Sequence, residues 1–212
     1  MKLLKRIYNF IKNKRINKKQ LKRNTTIKNN TIILKIGKRS DIERWKDSKE
    51  LYEDWNERTS IISSYIDKNA NIIEFGAGNM SLKNQLPANC TYTPSDIVKR
   101  SVDTLICDLN ELIPFDLSTY NTAVFSGVLE YVYEIDKIFE QLQPHIANII
   151  LSYACSDICK HNRLVNGWLS DYTQNQLIEI FNKFDFQVID KQDWRQQTIF
   201  NLKKVYIKYD IQ

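Results

Sequence analysis

Residues 71–80 read Asn-Ile-Ile-Glu-Phe-Gly-Ala-Gly-Asn-Met, a short apolar run that ends in two glycines one residue apart. Such a run, bounded by a glycine turn, predicts a buried strand. Glycine at 76 and 78 lets the backbone turn sharply and lets a ligand approach the main chain closely. Outward from this stretch, strands are predicted at about 91–96, 103–108, 121–126 and 146–153, with helices between them at about 80–86, 97–101 and 134–142. A helix at about 173–184 precedes strands near 186–191 and 197–208, and no helix separates those two. Alternation of this kind predicts an α/β fold: a mostly parallel sheet covered on both faces, closed by an antiparallel hairpin at its edge.

Carboxylates recur where these strands end. Glu74 sits just before the glycine turn, Asp96 closes the second strand 20 residues after Gly76, and Asp108 closes the third. In an open parallel sheet a ligand binds beyond the carboxyl ends of the strands, where strand order reverses, and an acid at the tip of the second strand can accept hydrogen bonds from ribose hydroxyls. Each element alone is weak, because tight turns and helix caps use the same residues. Their order along the chain is what carries meaning.

In that order, residues 70–208 resemble the class I S-adenosylmethionine (SAM)-dependent methyltransferases. The resemblance implies a Rossmann-like, seven-stranded, mostly parallel sheet with an antiparallel last strand. It implies SAM as cofactor: Glu74, Gly76, Ala77 and Gly78 around its methionine part, Asp96 at the ribose, Asp108 and Leu109 beside the adenine. Phe125-Ser126-Gly127-Val128-Leu129-Glu130-Tyr131-Val132 resembles the segment after the fourth strand that lines the donor and acceptor cavity, with Ser126 toward the cofactor. Two departures stand out. Met80 occupies the place of a third glycine, and Asn121 replaces the acid that commonly opens the fourth strand. A nicotinamide-dependent dehydrogenase is the rival on a similar fold; the chain lacks its usual third glycine and gives the fourth-strand segment no purpose there.

Charge is divided sharply. Residues 1–40 hold 14 Lys or Arg and no acid, whereas residues 41–212 hold 17 Lys or Arg against 25 Asp or Glu. We therefore divide the chain into residues 1–39, a basic helix and linker, and residues 40–212, the methyltransferase domain. Leu3, Leu4, Ile7, Phe10 and Ile11 recur at helical spacing in residues 2–23, with lysines around them. The polar text at 24–30 suits a linker, and 31–36 suits a short strand or an apolar patch. Ser40-Asp41 then caps a helical region carrying Trp45, Leu51, Trp55, Ile61, Ile62 and Tyr65. An apolar stripe flanked by lysines fits docking on an anionic membrane surface, with packing of the stripe on the body or on a second subunit as the alternative, whereas a nucleic-acid arm needs only the charge. No secretory signal is legible and no apolar run is long enough to span a bilayer, so the expected compartment is cytoplasmic, peripheral on the inner membrane face.

Four cysteines and two histidines fall at no recognisable zinc spacing, so no metal is expected. Motifs for holding a flipped base are missing and the body is acidic, which argues against a nucleic-acid acceptor. The expected acceptor is a small molecule or glycan, methylated on oxygen. Asn166-Gly167-Trp168 before a capped helix loosely resembles methyltransferases encoded with bacterial surface-polysaccharide genes. Residues 152–172 are expected to face the acceptor, with His161 as the candidate general base and Asp157, Arg163, Trp168 and Tyr172 nearby. An RNA or protein methyltransferase using the basic tail as an arm, and a non-catalytic SAM-binding relative, remain as alternatives.

Overall fold

The computed structural model describes residues 2–51 and 55–205. A long helix α1 (Lys2–Gly37) leads to short α2 (Ile42–Lys46) and α3 (Asn56–Ser64). The sheet elements follow: β1 (Asn71–Phe75), β2 (Thr91–Asp96), β3 (Leu105–Ile106), β4 (Thr122–Ser126), helix α4 (Ile135–Leu142) and β5 (Asn148–Tyr153). Helices α5 (Arg163–Asn166) and α6 (Gln174–Lys183), then strands β6 (Phe186–Trp194) and β7 (Gln197–Lys204), complete the described chain.

Seven strands form one sheet in the order β3-β2-β1-β4-β5-β7-β6. Strands β1 to β5 pair in parallel, and β7 runs antiparallel to both β5 and β6. Because side chains alternate across a strand, Ile73, Phe75, Phe125 and Leu151 enter one buried cluster with α4 and α6, while Ile72, Val124 and Ile150 enter another with Ile62 of α3. Phe75 and Phe125 stack across β1 and β4 with centroids 4.9 Å apart. Thr173 and Gln176 form a reciprocal cap that starts α6.

Several expectations are corrected. Residues 97–101 make bends, not a helix: Asp96 Oδ1 accepts from the Val98 N–H and Thr104 Oγ1 from the Ser101 N–H, so local side chains take the bonds that a helix would use. Strand β3 is only Leu105–Ile106, and the helix after the glycine turn is a 3-10 turn, Ser81–Gln85. Residues 206–208, read as the end of the last strand, lie outside the described residues.

The larger correction is α1. Residues 24–36, read as a linker and then a strand or patch, continue the helix. The hydroxyls of Thr25, Thr26 and Thr31 donate to carbonyls four residues earlier, so the polar stretch is satisfied inside the helix. Tertiary packing supplies the rest, overriding propensity. Thr31 and Leu34 are buried, α1 packs on α5, and Tyr133 Oη donates to the Leu34 and Arg39 carbonyls. Residues 12–22, by contrast, are exposed throughout, as are Tyr8 and Phe10. No described helix is long and apolar enough to cross a membrane.

Candidate functional site

Strand order reverses between β1 and β4, and a cavity opens at the carboxyl ends of the strands there, with about 1030 Å³ of empty space including its mouth. Glu74, Gly76, Ala77, Gly78, Asp96, Asp108, Leu109 and Ser126 all line it. The turn after β1 holds Gly76 at φ +67° and Gly78 at φ +51°. A Cβ on Gly76 would lie 2.3 Å from Val128 Cγ2, so glycine is required there by both backbone and space. Met80 takes up the same left-handed region at φ +56°, an unusual conformation for a side-chain-bearing residue.

The acids differ in their surroundings. Asp96 accepts from the Gly78 N–H through Oδ2 and the Val98 N–H through Oδ1, and Arg100 Nε lies 3.5 Å from Oδ1. It therefore pins the glycine turn to the end of β2. Asp108 Oδ1 accepts from Ser40 Oγ at 2.7 Å, and Asn110 Nδ2 donates to Ser40 Oγ and to the Tyr131 carbonyl. This network ties the start of α2 to the rim; Asp41 caps α2 by accepting from the Arg44 N–H. Glu74 is buried beneath the turn and accepts from Tyr92 Oη. Burial pushes its carboxyl up to about 8, against the Tyr92 hydrogen bond and the Arg58 charge, which pull it down. A cation bound beside it would favour the carboxylate.

Arg58, from α3, lines the cavity and was not among the residues expected there. It is 4 % exposed and donates to Ser126 Oγ, the Ser126 carbonyl and Gln197 Oε1. Its guanidinium lies over the Trp55 and Trp194 rings. The signal was its spacing: three residues after Trp55 and four before Ile62, Arg58 falls on the apolar face of its helix, where a charge needs a reason. Arg100 was hidden by the false helix, and Trp45 and Tyr131, in edge contact at 4.9 Å, form an aromatic wall.

The expected acceptor segment does not arrive as a group. His161 is exposed, sits 3.2 Å from Gln196 Nε2, and does not line the cavity. Arg163 donates to the Ser170 and Ala154 carbonyls and to Tyr153 Oη, and lies over the Trp168 ring, so it braces the loop instead of facing a ligand. Asp157 accepts from the Gln174 N–H at the start of α6. Of residues 152–172, only Gly167 and Leu169 reach the cavity.

No protein-family model and no curated protein matches the chain in sequence. Solved structures do resemble it in shape. The Burkholderia thailandensis 1,6-didemethyltoxoflavin-N1-methyltransferase, bound to 1,6-didemethyltoxoflavin and S-adenosylhomocysteine, superposes with TM-score 0.58 at 16 % identity over 73 % of this chain and 80 % of its own. A SAM-dependent methyltransferase from Aquifex aeolicus gives TM-score 0.56 at 12 % identity over 77 % of this chain and 97 % of its own. The [4+2]-cyclase SpnF gives TM-score 0.57 at 11 % identity over 70 % and 81 %. The chain thus has the fold of the class I SAM-dependent methyltransferases.

Proposed function

We propose that the chain is a SAM-dependent methyltransferase acting on a small-molecule or glycan acceptor. The observation that carries this reading is the meeting of the left-handed glycine turn, Glu74, Asp96 and Arg58 on one cavity. The residues fit the cofactor: a Cβ would fill the cradle at Gly76, and a buried carboxyl and a buried guanidinium match the two ends of an amino acid. Glu74 would take the ammonium group, Arg58 the carboxylate, Asp96 the ribose, and Asp108 with Leu109 the adenine end. When bound, SAM supplies an electrophilic methyl group on a sulfonium. The chain's own task is to align the acceptor and exclude water. The Trp45–Tyr131 wall suits the flat face of an aromatic or sugar ring. His161 has no part in this reading.

Titration calorimetry with SAM and S-adenosylhomocysteine tests it. The wild type binds both, and Asp96→Ala weakens SAM by about 1.5–3 kcal/mol, roughly 10- to 150-fold, through loss of charge-assisted hydrogen bonds. Wild-type protein that takes up no SAM at millimolar concentration would sink the proposal. A SAM-binding protein that does other chemistry is the second reading, favoured by the cyclase sharing the fold. Transfer of label from methyl-labelled SAM into fractionated cell extract separates the two.

The exposed basic stretch of α1 supports docking on an anionic membrane surface, with Phe10 and Leu21 (both 68 % exposed) on one side of the helix, three turns apart. The side chains of Leu3, Leu4, Ile7 and Ile11 lie outside what is described. Full-length protein should float with phosphatidylglycerol vesicles, and a truncation starting at Arg23 should not. Equal flotation of the two overturns the idea.

A further inference from the structure

Tyr92, on β2, does not line the cavity, yet its side chain reaches an acid that does. Tyr92 pairs with Ile72 across β1 and β2, so Glu74, two residues further along β1, is its diagonal neighbour on the sheet face that α3 covers. The Tyr92 hydroxyl donates to Glu74 Oε2. Among the described residues this is the one hydrogen bond that the Glu74 carboxyl makes, which leaves Oε1 uncommitted in a side chain only 3 % exposed.

The surroundings of Glu74 make that bond consequential. Burial raises its carboxyl, to about 8 in net. The Tyr92 hydrogen bond from β2 and the Arg58 charge from α3 pull it down, in that order of size, and Asp96 at the end of β2 adds to the rise. Burial and the neighbouring Glu74 push the Tyr92 hydroxyl upward in turn, so it keeps its proton and stays a donor. A hydroxyl donating to a carboxylate makes a charge-assisted bond and so favours the ionised form, the form that a cationic ligand group needs.

We propose that Tyr92 is a positioning residue for cofactor binding: its hydroxyl holds Glu74 Oε2 and leaves Oε1 for the ammonium group of SAM. The ammonium assignment rests on the methyltransferase reading above.

The test is titration calorimetry on the full chain with two ligands. One is S-adenosylhomocysteine; the other is 5′-methylthioadenosine, which has the same nucleoside and sulfur but no amino acid. Tyr92→Phe removes the hydroxyl and keeps the ring. At about pH 7 it should weaken S-adenosylhomocysteine about tenfold and change methylthioadenosine by no more than about twofold, which also shows that the variant is folded. Wild-type affinity for S-adenosylhomocysteine should rise as Glu74 ionises toward about pH 8. In Tyr92→Phe that rise should come at higher pH, so the tenfold gap should narrow between about pH 6.5 and about pH 9. Asp96 and Arg58 act on Glu74 in both proteins alike and leave the comparison intact. Equal losses for the two ligands, or a gap that stays constant over that pH range, would overturn the proposal, because Tyr92 would then act by packing beneath the turn. Unchanged affinity for S-adenosylhomocysteine overturns it as well and leaves the methyltransferase reading standing. Wild type that binds neither ligand overturns that reading, and the role of Tyr92 falls with it.

Discussion

Arg58→Ala should melt roughly 6–20 °C below wild type, the consequence of about 3–5 kcal/mol for breaking a buried charged network in a chain of this size. Hydrogen bonds to Ser126 and Gln197 and contacts with the Trp55 and Trp194 rings hold Arg58 between α3, β4 and β7. Nearby, Glu130 is 0 % exposed; its Oε1 accepts from the Ala154 N–H and Gln197 Nε2, and its Oε2 has no hydrogen-bond partner among the described residues. Burial raises the carboxyls of both Glu130 and Glu74, and the Arg58 charge opposes that rise in each. Arg58→Met, which keeps the stem packing and removes the charge, separates the two contributions.

The pH dependence follows from the sign. Both acids already have folded-state values above their unfolded ones, so the fold favours their protonated forms and loses stability as pH rises toward the folded value, about 8 for Glu74. Without Arg58 these values rise further. The loss in Arg58→Met should therefore be larger at about pH 8.5 than at about pH 5.5. Equal losses at both pH values would mean that packing, not charge, is what Arg58 contributes.

Gly76→Ala should lower stability by about 2–5 kcal/mol and abolish measurable SAM binding. The left-handed backbone costs an alanine about 1–2 kcal/mol, and forcing a methyl into filled space costs about 1–3 more. The space is filled by Val128, whose Cγ2, Cγ1 and Cβ lie 2.3, 3.1 and 3.3 Å from the added carbon. Val128 and the glycine turn both line the cavity, so relief by movement of either changes its shape. Gly76→Ala combined with Val128→Ala should recover the steric part and leave the backbone part, a coupling that a double-mutant cycle measures. Gly76→Ala protein within about 1 kcal/mol of wild type, still binding SAM, would overturn the assignment of this turn as a tight cradle.

The sheet and its floor were legible in the sequence because their signals are local. An apolar run followed by Gly76 and Gly78 fits a strand entering a tight turn, and the order in which Asp96 and Asp108 follow places those acids at neighbouring strand ends. Periodicity also gave α4 and α6 closely, since their apolar faces match the sheet they cover. Local signals failed where tertiary contacts decide. Residues 24–36 look like a linker by composition, yet burial of Thr31 and Leu34 against the body outweighs weak helix propensity. Residues 97–101 look helical, yet bonds from Asp96 and Thr104 hold them in bends.

The composition of the site divides in the same way. Glu74, Gly76, Gly78, Asp96 and Asp108 stood out by their place at strand ends, the resemblance added Ala77, Leu109 and Ser126, and topology brings those strand ends together. Arg58 and Trp45 come from helices before the first strand, and only packing shows that they lean over the cavity. His161, chosen for its chemistry, is exposed beside Gln196 and lies outside the cavity, although Gly167 and Leu169 of the same segment reach it. By itself, then, the sequence determined the sheet, the glycine turn and the acids around it, since strand periodicity and backbone sterics act over a few residues. Only the tertiary structure decided which side chains from distant segments share the cavity, because those contacts depend on how the helices dock, and docking is set by burial summed over the whole chain.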